Sequence, residues 1–377
     1  MCLNLDRTRA MKILFCTNAF ETVTNGPAKF ANLVLDINTL FPEHQIQILT
    51  EDVTFVRPFV HKMEVRVPHF MRFFGQVFRS FQYHRRAMEI RRDFAFDVIV
   101  YNNALVGWWS AARFENSVGM INDYSNASRR LRDFKPEYRF IQELIFKQIE
   151  HISTFLFKKI ITNSDYLTTL LKSEYPNIKH KVHRLYKGVE TPESVQEFRP
   201  ILGVVKILFV KRDYTLGGFF TLTAALKQLK YPTELTVVGP WEYEQQKIEQ
   251  QAGGRLKIKF LPFQQQAQVF ELYKNTDIFC VPSHKEAFGV ANVEALARGV
   301  SVVSSDAGGI PEVLDYGRCG WLAPIGNALA LAEALTECIE NETLRQQKIQ
   351  NGLQFSQQFF KEKLLRNFVD ILAHPNS

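Results

Sequence analysis

Short apolar runs rich in Val, Ile and Leu recur along this chain, and between them lie longer stretches whose apolar residues fall three or four positions apart. Runs of the first kind read as buried strands, and stretches of the second kind as helices packed by one face. Residues 12–17, 45–50, 97–101, 119–122, 160–162 and 182–186 are predicted strands of the first half. Residues 206–210, 235–239, 258–261, 278–281 and 300–304 are their counterparts in the second. Helical spacing fills several of the gaps, as in Phe30, Leu33, Val34, Ile37 and Leu40 after the first strand. Alternation of this kind predicts parallel, doubly wound sheets, and 377 residues suit two such domains. The segment TPESVQEFRPILG, with two prolines among acidic and polar residues, reads as the hinge region between them.

The most informative stretch is DIFCVPSHKEAFGVANVEALARGVSVVSSDAGGIPEVL, from Asp277 to Leu314. It reads as strand, loop, helix, strand, with Gly299 as the helix stop. In a doubly wound sheet, loops at the carboxyl ends of strands hold the ligand, and a helix beginning there offers unpaired N–H groups and a positive dipole end. Phe288 to Ala291 are therefore a natural seat for a phosphate. Glu286 precedes the seat and Glu294 lies about one turn or so into the helix. Carboxylates accept hydrogen bonds from hydroxyls, so two of them flanking an anion seat suit a sugar nucleotide, which carries hydroxyls on both sides of its diphosphate.

With its E-x7-E pair, Glu286 and Glu294, this stretch resembles the retaining glycosyltransferases of group 4, whose GT-B fold has two Rossmann-like domains facing a cleft. The resemblance is strong over about 235–325 and looser before. It implies an α/β chain with an acceptor-binding domain over 1–190, a nucleotide-sugar-binding domain over 191–355, and a tail over 356–377 whose helix, from about 355 to 372, crosses back to the first domain. It also implies catalytic roles for Glu286, which orients the donor sugar, and Arg212, which neutralises diphosphate charge. The backbone of Phe288, Gly289 and Val290 would hold the distal phosphate, and Glu294 the ribose. No metal and no cofactor is implied beyond the nucleotide-sugar substrate.

The chain departs from that pattern in places. A lysine expected before a glycine in the loop after the seventh predicted strand, 206–210, is missing, with Leu216 ahead of Gly217, and the substitute is Lys211, beside Arg212, or Lys285. Asn122-Asp123 stands where His-Asp is usual; both are candidate acceptor-binding residues, and Asp123 reads equally as a helix cap. Lys187 and Glu190 replace an expected Asn and Asp. Gly26, next to Pro27, serves either a close approach to the donor or a tight turn. Trp241 either stacks on the nucleotide base or packs.

Charge extends this picture to partners. The net charge is +7, and the excess sits in residues 1–200, with 28 Lys and Arg against 21 Asp and Glu. There Phe70, Phe73, Phe74, Val77, Phe78 and Phe81 form an apolar stripe beside Arg72, Arg79, Arg85, Arg86, Arg91 and Arg92. That composition fits a helix on an anionic membrane surface, and equally a helix packed on the sheet with solvated arginines. A further basic cluster comprises Arg129, Arg130, Arg132, Lys135 and Arg139. No nucleic-acid-binding module and no G-x-G-x-x-G after the first strand is present, which argues against nucleic acid and nicotinamide chemistry. Five cysteines, odd in number and without close pairs, suggest neither a disulfide framework nor a zinc site. The sequence thus leads to a cytoplasmic enzyme, peripheral at the inner face of a membrane, moving a sugar to a glycan or lipid-linked acceptor. The alternative is a catalytically weak sugar-nucleotide-binding adaptor of the same fold.

Overall fold

The computed structural model describes residues 10–21, 26–55, 57–66, 75–123, 148–239 and 256–374. It divides into two compact units, Met1–Gly188 with Glu362–Ser377, and Val189–Lys361. The basic cluster at 129–139, the phenylalanines at 70, 73 and 74, and Trp241 lie outside the described residues.

The first unit holds a seven-stranded sheet in the order β3-β2-β1-β4-β5-β6-β7. Its strands are β1 (Lys12–Thr17), β2 (Gln45–Thr50), β3 (Val60–Lys62), β4 (Val98–Tyr101), β5 (Ser117–Ile121), β6 (Lys159–Thr162) and β7 (Val182–Arg184). Every pairing is parallel, with Ile13 of β1 opposite both Ile46 and Val98. Parallel strands need both faces covered, and β1 meets that need by alternation. Ile13 and Phe15 enter one core with Phe30 and Val34, while Leu14 and Cys16 enter the other with Tyr83, Ile99 and Tyr101. The winding direction reverses between β1 and β4, which makes that point the unit's crevice.

Helix Gly75–Asp93 carries the described part of the expected stripe, Val77, Phe78 and Phe81. Its buried positions are Ser80, Tyr83, Ala87 and Ile90, and the Tyr83 hydroxyl donates to the Thr17 carbonyl at 2.8 Å. Phe81 and Met88 face outward at 47% and 45% exposure, in line with the exposed Arg85 and Arg92. The small Ser80 lets the helix lie close to Trp108–Ala111, and its hydroxyl accepts from the Trp109 N–H at 3.0 Å, an approach that a phenylalanine there would prevent.

The second unit holds a six-stranded parallel sheet, β10-β9-β8-β11-β12-β13. Its strands are β8 (Val205–Val210), β9 (Thr233–Val238), β10 (Leu256–Leu261), β11 (Ile278–Val281), β12 (Ser301–Ser305) and β13 (Trp321–Ala323). Here the winding reverses between β8 and β11. The single helix expected over 355–372 is broken instead. Helix Glu342–Ser356 ends in a 3-10 turn, Gln357–Phe359, the chain extends at Phe360, and a new helix runs Lys361–Ala373.

That last helix joins the first unit's core through Leu364, Leu365, Phe368, Val369 and Leu372, the spacing of one helical face. The Phe368 ring meets Phe30 and Phe15 edge-on, with centroids 5.5 and 6.3 Å away. Its final turn is capped by Lys159, whose ammonium donates to the carbonyls of Ile371 and His374.

The first unit also carries a cost. Lys187 is 3% exposed, its ammonium has no hydrogen-bond partner among the described residues, and the Phe30 ring lies 4.5 Å from the charge. Burial brings its pKa down to about 7. A lysine depressed in the folded state leaves the unfolded chain binding more protons between pH 7 and its ordinary value. The penalty is therefore full below pH 7 and relieved as pH rises toward 10.5. Lys187→Met is expected to stabilise the first unit by about 1–3 kcal/mol at pH 7, with the gain shrinking as pH approaches 10. Denaturant unfolding of both proteins across that range checks it, and parallel pH slopes would refute it.

Candidate functional site

The carboxyl ends of β8 and β11 flank the point where the second sheet reverses, and the loops leaving them are locked together by backbone. His284 N–H donates to the Leu216 carbonyl at 2.8 Å, and Gly309 N–H, from the loop after β12, donates to the Glu286 carbonyl at 3.2 Å. No side chain fits where these loops cross. A Cβ on Gly218 (φ 76°) would stand 1.9 Å from the Pro282 carbonyl oxygen, and one on Gly309 would stand 2.4 Å from that of Ala287.

Glu286 sits in this bundle of loops. One carboxylate oxygen accepts from the Lys211 ammonium at 2.5 Å, and the other accepts from the Ala287 N–H at 3.2 Å. Both side chains are partly accessible, Lys211 at 21% and Glu286 at 23%. Burial pushes the carboxyl upward, but the Lys211 charge and the N–H groups of Phe288 and Ala287 outweigh it and hold Glu286 below its ordinary value. Glu286 is thus an ionised acceptor at neutral pH.

Helix Val290–Ala297 begins directly after, with Gly289 (φ 98°) as its N-cap. Its first N–H groups lack intrahelical partners by construction, and its dipole adds positive potential there. Phe288 anchors this start. Its ring is 2% exposed and meets Phe359 edge-on at 5.6 Å. Glu294, in the second turn, is 2% exposed and accepts from the Gln266 amide at 3.0 Å. In the last turn Arg298 donates to the Glu294 carbonyl at 3.1 Å and lies over the Phe270 ring at 3.4 Å. Helix Val290–Ala297 and helix Gln266–Tyr273 are therefore joined through Glu294 and its neighbours.

The structure brings Lys211, Glu286, Phe288, Gly289 and Val290 together, with Glu294 further along the same helix. Arg212 is exposed beside Lys211, and it is Lys211 that is aimed at Glu286. Gln266 went unread in the sequence, where only its place at a helix start, after the third strand of this sheet, marked it.

In the first unit, Gly26 and Pro27 open helix Gly26–Leu33. Asn122 follows β5, and its amide donates to the carbonyl of Asn102 at 2.5 Å. Asn102 in turn donates to the Thr17 hydroxyl at 3.1 Å and the Pro27 carbonyl at 2.9 Å, and Asn163 donates to the Asn122 carbonyl at 2.9 Å. A row of polar side chains thus lines the carboxyl edge of this sheet at its own reversal point, and Asn102 and Asn163 are members that sequence reasoning missed. The segment that Asp123 would cap, 124–147, lies outside the described residues.

Comparison with known proteins fits this geometry. Residues 192–355 match the family described as glycosyl transferases group 1. A phosphatidyl-myo-inositol mannosyltransferase of Mycobacterium leprae is 33% identical over 158 residues, 41% of this chain and 42% of that protein. The amylovoran biosynthesis glycosyltransferase AmsK of Erwinia amylovora is 38% identical over 174 residues, 43% of each chain. The chain thus matches less than half the length of these relatives. Among solved structures, sucrose-phosphate synthase from Thermosynechococcus elongatus superposes with a TM-score of 0.74 at 16% identity, covering 95% of this chain and 97% of that one. Anabaena HepE in complex with UDP-glucose gives 0.70 at 18%, covering 96% and 98%. At such identities the superpositions speak for the fold. Residues 192–355 thus match the glycosyl transferases group 1 family, and the chain has the two Rossmann-like domains of the GT-B fold.

Proposed function

We propose that this chain is a retaining glycosyltransferase that moves a sugar from a nucleotide-sugar donor to a glycan or lipid-linked acceptor. The observation that carries the reading is the ionised Glu286 held by Lys211 at the reversal point of the second sheet, immediately before the N-terminus of helix Val290–Ala297. A helix end and a cation suit a diphosphate, and an ionised carboxylate beside them suits the hydroxyls of the attached sugar. HepE, of the same fold, was solved with UDP-glucose, and the relatives named above act on phosphatidyl-myo-inositol or in amylovoran biosynthesis. Those names favour a cell-envelope or exopolysaccharide acceptor.

In this reading Glu286 orients the donor sugar, the N–H groups of Gly289 and Val290 hold the distal phosphate, and Lys211 and Arg212 neutralise charge on the departing diphosphate. Phe288 donates its own N–H to Glu286 and so fixes the carboxylate rather than the phosphate. Glu294, held by the Gln266 amide, is the residue assigned to the ribose. The bond from the sugar's anomeric carbon to phosphate breaks and the bond to the acceptor oxygen forms on the same face. The acceptor's proton passes to the released phosphate oxygen. These cations and the helix end supply the positive charge that a divalent metal would otherwise bring. Gly26 is assigned to donor binding, and Asn122 and Asp123 to the acceptor.

A second reading, a sugar-nucleotide-binding adaptor, draws on two departures. Leu216 stands where a lysine is expected, and the Asn122 amide is already engaged by Asn102.

The first domain is also proposed to rest on an anionic membrane through the outward row Phe81, Arg85, Met88 and Arg92. Arg113, stacked on Trp109 at 4.2 Å, extends it, since Trp109 meets Phe81 edge-on at 5.8 Å. No helix among the described residues is long and apolar enough to cross a membrane.

Nucleotide release from UDP-, GDP- and ADP-sugars is expected for one donor class, unaffected by EDTA. Glu286→Ala and Glu294→Ala should lower it by about 100-fold or more while thermal melting shows both variants folded. Binding of several donors with turnover of none, even with lipid extract present, would favour the adaptor. For the membrane contact, flotation with vesicles containing anionic lipid should be lost when Arg85 and Arg92 are both changed to Glu. Undiminished flotation of that variant would rule the surface out.

A further inference from the structure

Gly217 is not a glycine for its backbone angles, since its φ lies in the ordinary negative range; it is one for space. A Cβ there would come within 2.8 Å of Lys211 Cγ and 2.8 Å of Phe209 Cζ. Phe209 cannot give way, because it is fully buried and held edge-on by Phe219 at 5.7 Å. A side chain at 217 would therefore push on Lys211. The backbone of 217 is itself fixed, with its N–H donating to the Asp213 carbonyl at 2.8 Å.

We propose that Gly217, Lys211 and Glu286 form a positioning chain: the missing side chain at 217 leaves a notch in which the stem of Lys211 lies, and Lys211 so placed fixes the Glu286 carboxylate. Lys211 and Gly217 are then positioning residues for Glu286, whatever Lys211 also does for a bound anion. The inference rests on the reading of Glu286 as the donor-orienting group.

Two observations support the second link. Lys211 N–H donates to the Val238 carbonyl at 3.2 Å, so its backbone continues the sheet and only its side chain can respond to crowding. The charge acting on Glu286 is that of Lys211. Arg212 and Asp213 on the same loop, His284 and Lys285 on its own loop, and Asp306 after β12 are other titratable groups of these loops, while the leading causes of the shift are burial, Lys211, and the N–H groups of Phe288 and Ala287. Removing the ammonium leaves burial less opposed, so the carboxyl should move upward.

The test titrates the Glu286 carboxyl directly, by NMR of protein labelled with carbon-13 in the glutamate carboxyls, assigned by its absence in Glu286→Gln. Lys211→Met should raise the midpoint by about one unit, a tenfold change in proton affinity. Gly217→Ala should raise it in the same direction, the double variant Lys211→Met with Gly217→Ala should match Lys211→Met alone, and Lys211→Arg should restore a low midpoint. Where the protein releases nucleotide from a sugar donor, the acid limb of that rate should move with the midpoint. A midpoint unmoved by Lys211→Met, or moved by Lys211→Met and not by Gly217→Ala in a folded protein, overturns the proposal. A normal titration series in a protein that releases no nucleotide from any donor would instead remove the glycosyltransferase reading and leave the positioning chain standing.

Discussion

Backbone contact without intervening side chains is the constraint on which the second domain's site depends. The loops leaving β8, β11 and β12 touch at Gly218 against Pro282 and at Gly309 against Ala287, at distances where no Cβ can be placed. Because the loops are that close, the residue after β8 and a residue five positions after β11 can share one hydrogen bond, and the next helix can start within the same pocket of backbone. A sheet reversal alone opens a crevice. Here close approach narrows it until an ion pair spans it.

Parallel strands buried on both faces are near-continuous apolar runs, and these were legible in the sequence: eleven were expected and each corresponds to a strand of the structure. The two that were not expected, β3 and β13, are three residues long and lie at sheet edges, where little apolar surface need be buried and so little pattern is left. The packed face of the helix before β4 was hidden for a related reason. The apolar signal at its start comes from Val77, Phe78 and Phe81, yet its packed face is built on Ser80, Tyr83, Ala87 and Ile90, whose small members carry little hydrophobic signal. At the C-terminus, apolar spacing ran on through 357–360, and nothing local announced that Phe359 would turn into the second core against Phe288 while Phe368 entered the first.

The candidate site was legible to the extent that it is local. Glu286, the seat and Glu294 lie within a few residues of one another, so a strand, a glycine and a helix start were enough to associate them. Partners brought from afar were not. Lys211 and Arg212 are adjacent and both cationic, and only the face on which β8 meets β11 decides that Lys211 reaches Glu286. The Gln266 contact to Glu294 and the Asn102 contact to Asn122 each close a loop of twenty or more residues. Sequence spacing says nothing about such pairs, because any polar residue at a strand or helix end is an equal candidate.

The two buried-side lysines show how differently a cation can be held. Among the described residues Lys187 has an aromatic ring and no oxygen partner, so its charge is a liability, and burial lowers its pKa. Lys211 has a carboxylate, and the pair stands where the positive end of a helix would by itself repel an ammonium. The carboxylate is what allows cation and helix end to coexist, and they in turn keep it ionised. A site that concentrates positive potential around one fixed anion favours a ligand that offers both signs of interaction: an anionic group for the helix end and ammonium, and hydroxyl donors for the carboxylate. A simple phosphate would satisfy the first and leave Glu286 repelling it at close range; a neutral sugar would satisfy the second and gain nothing from the dipole. A sugar joined to a diphosphate would satisfy both with one molecule, which is the ligand the proposed function requires.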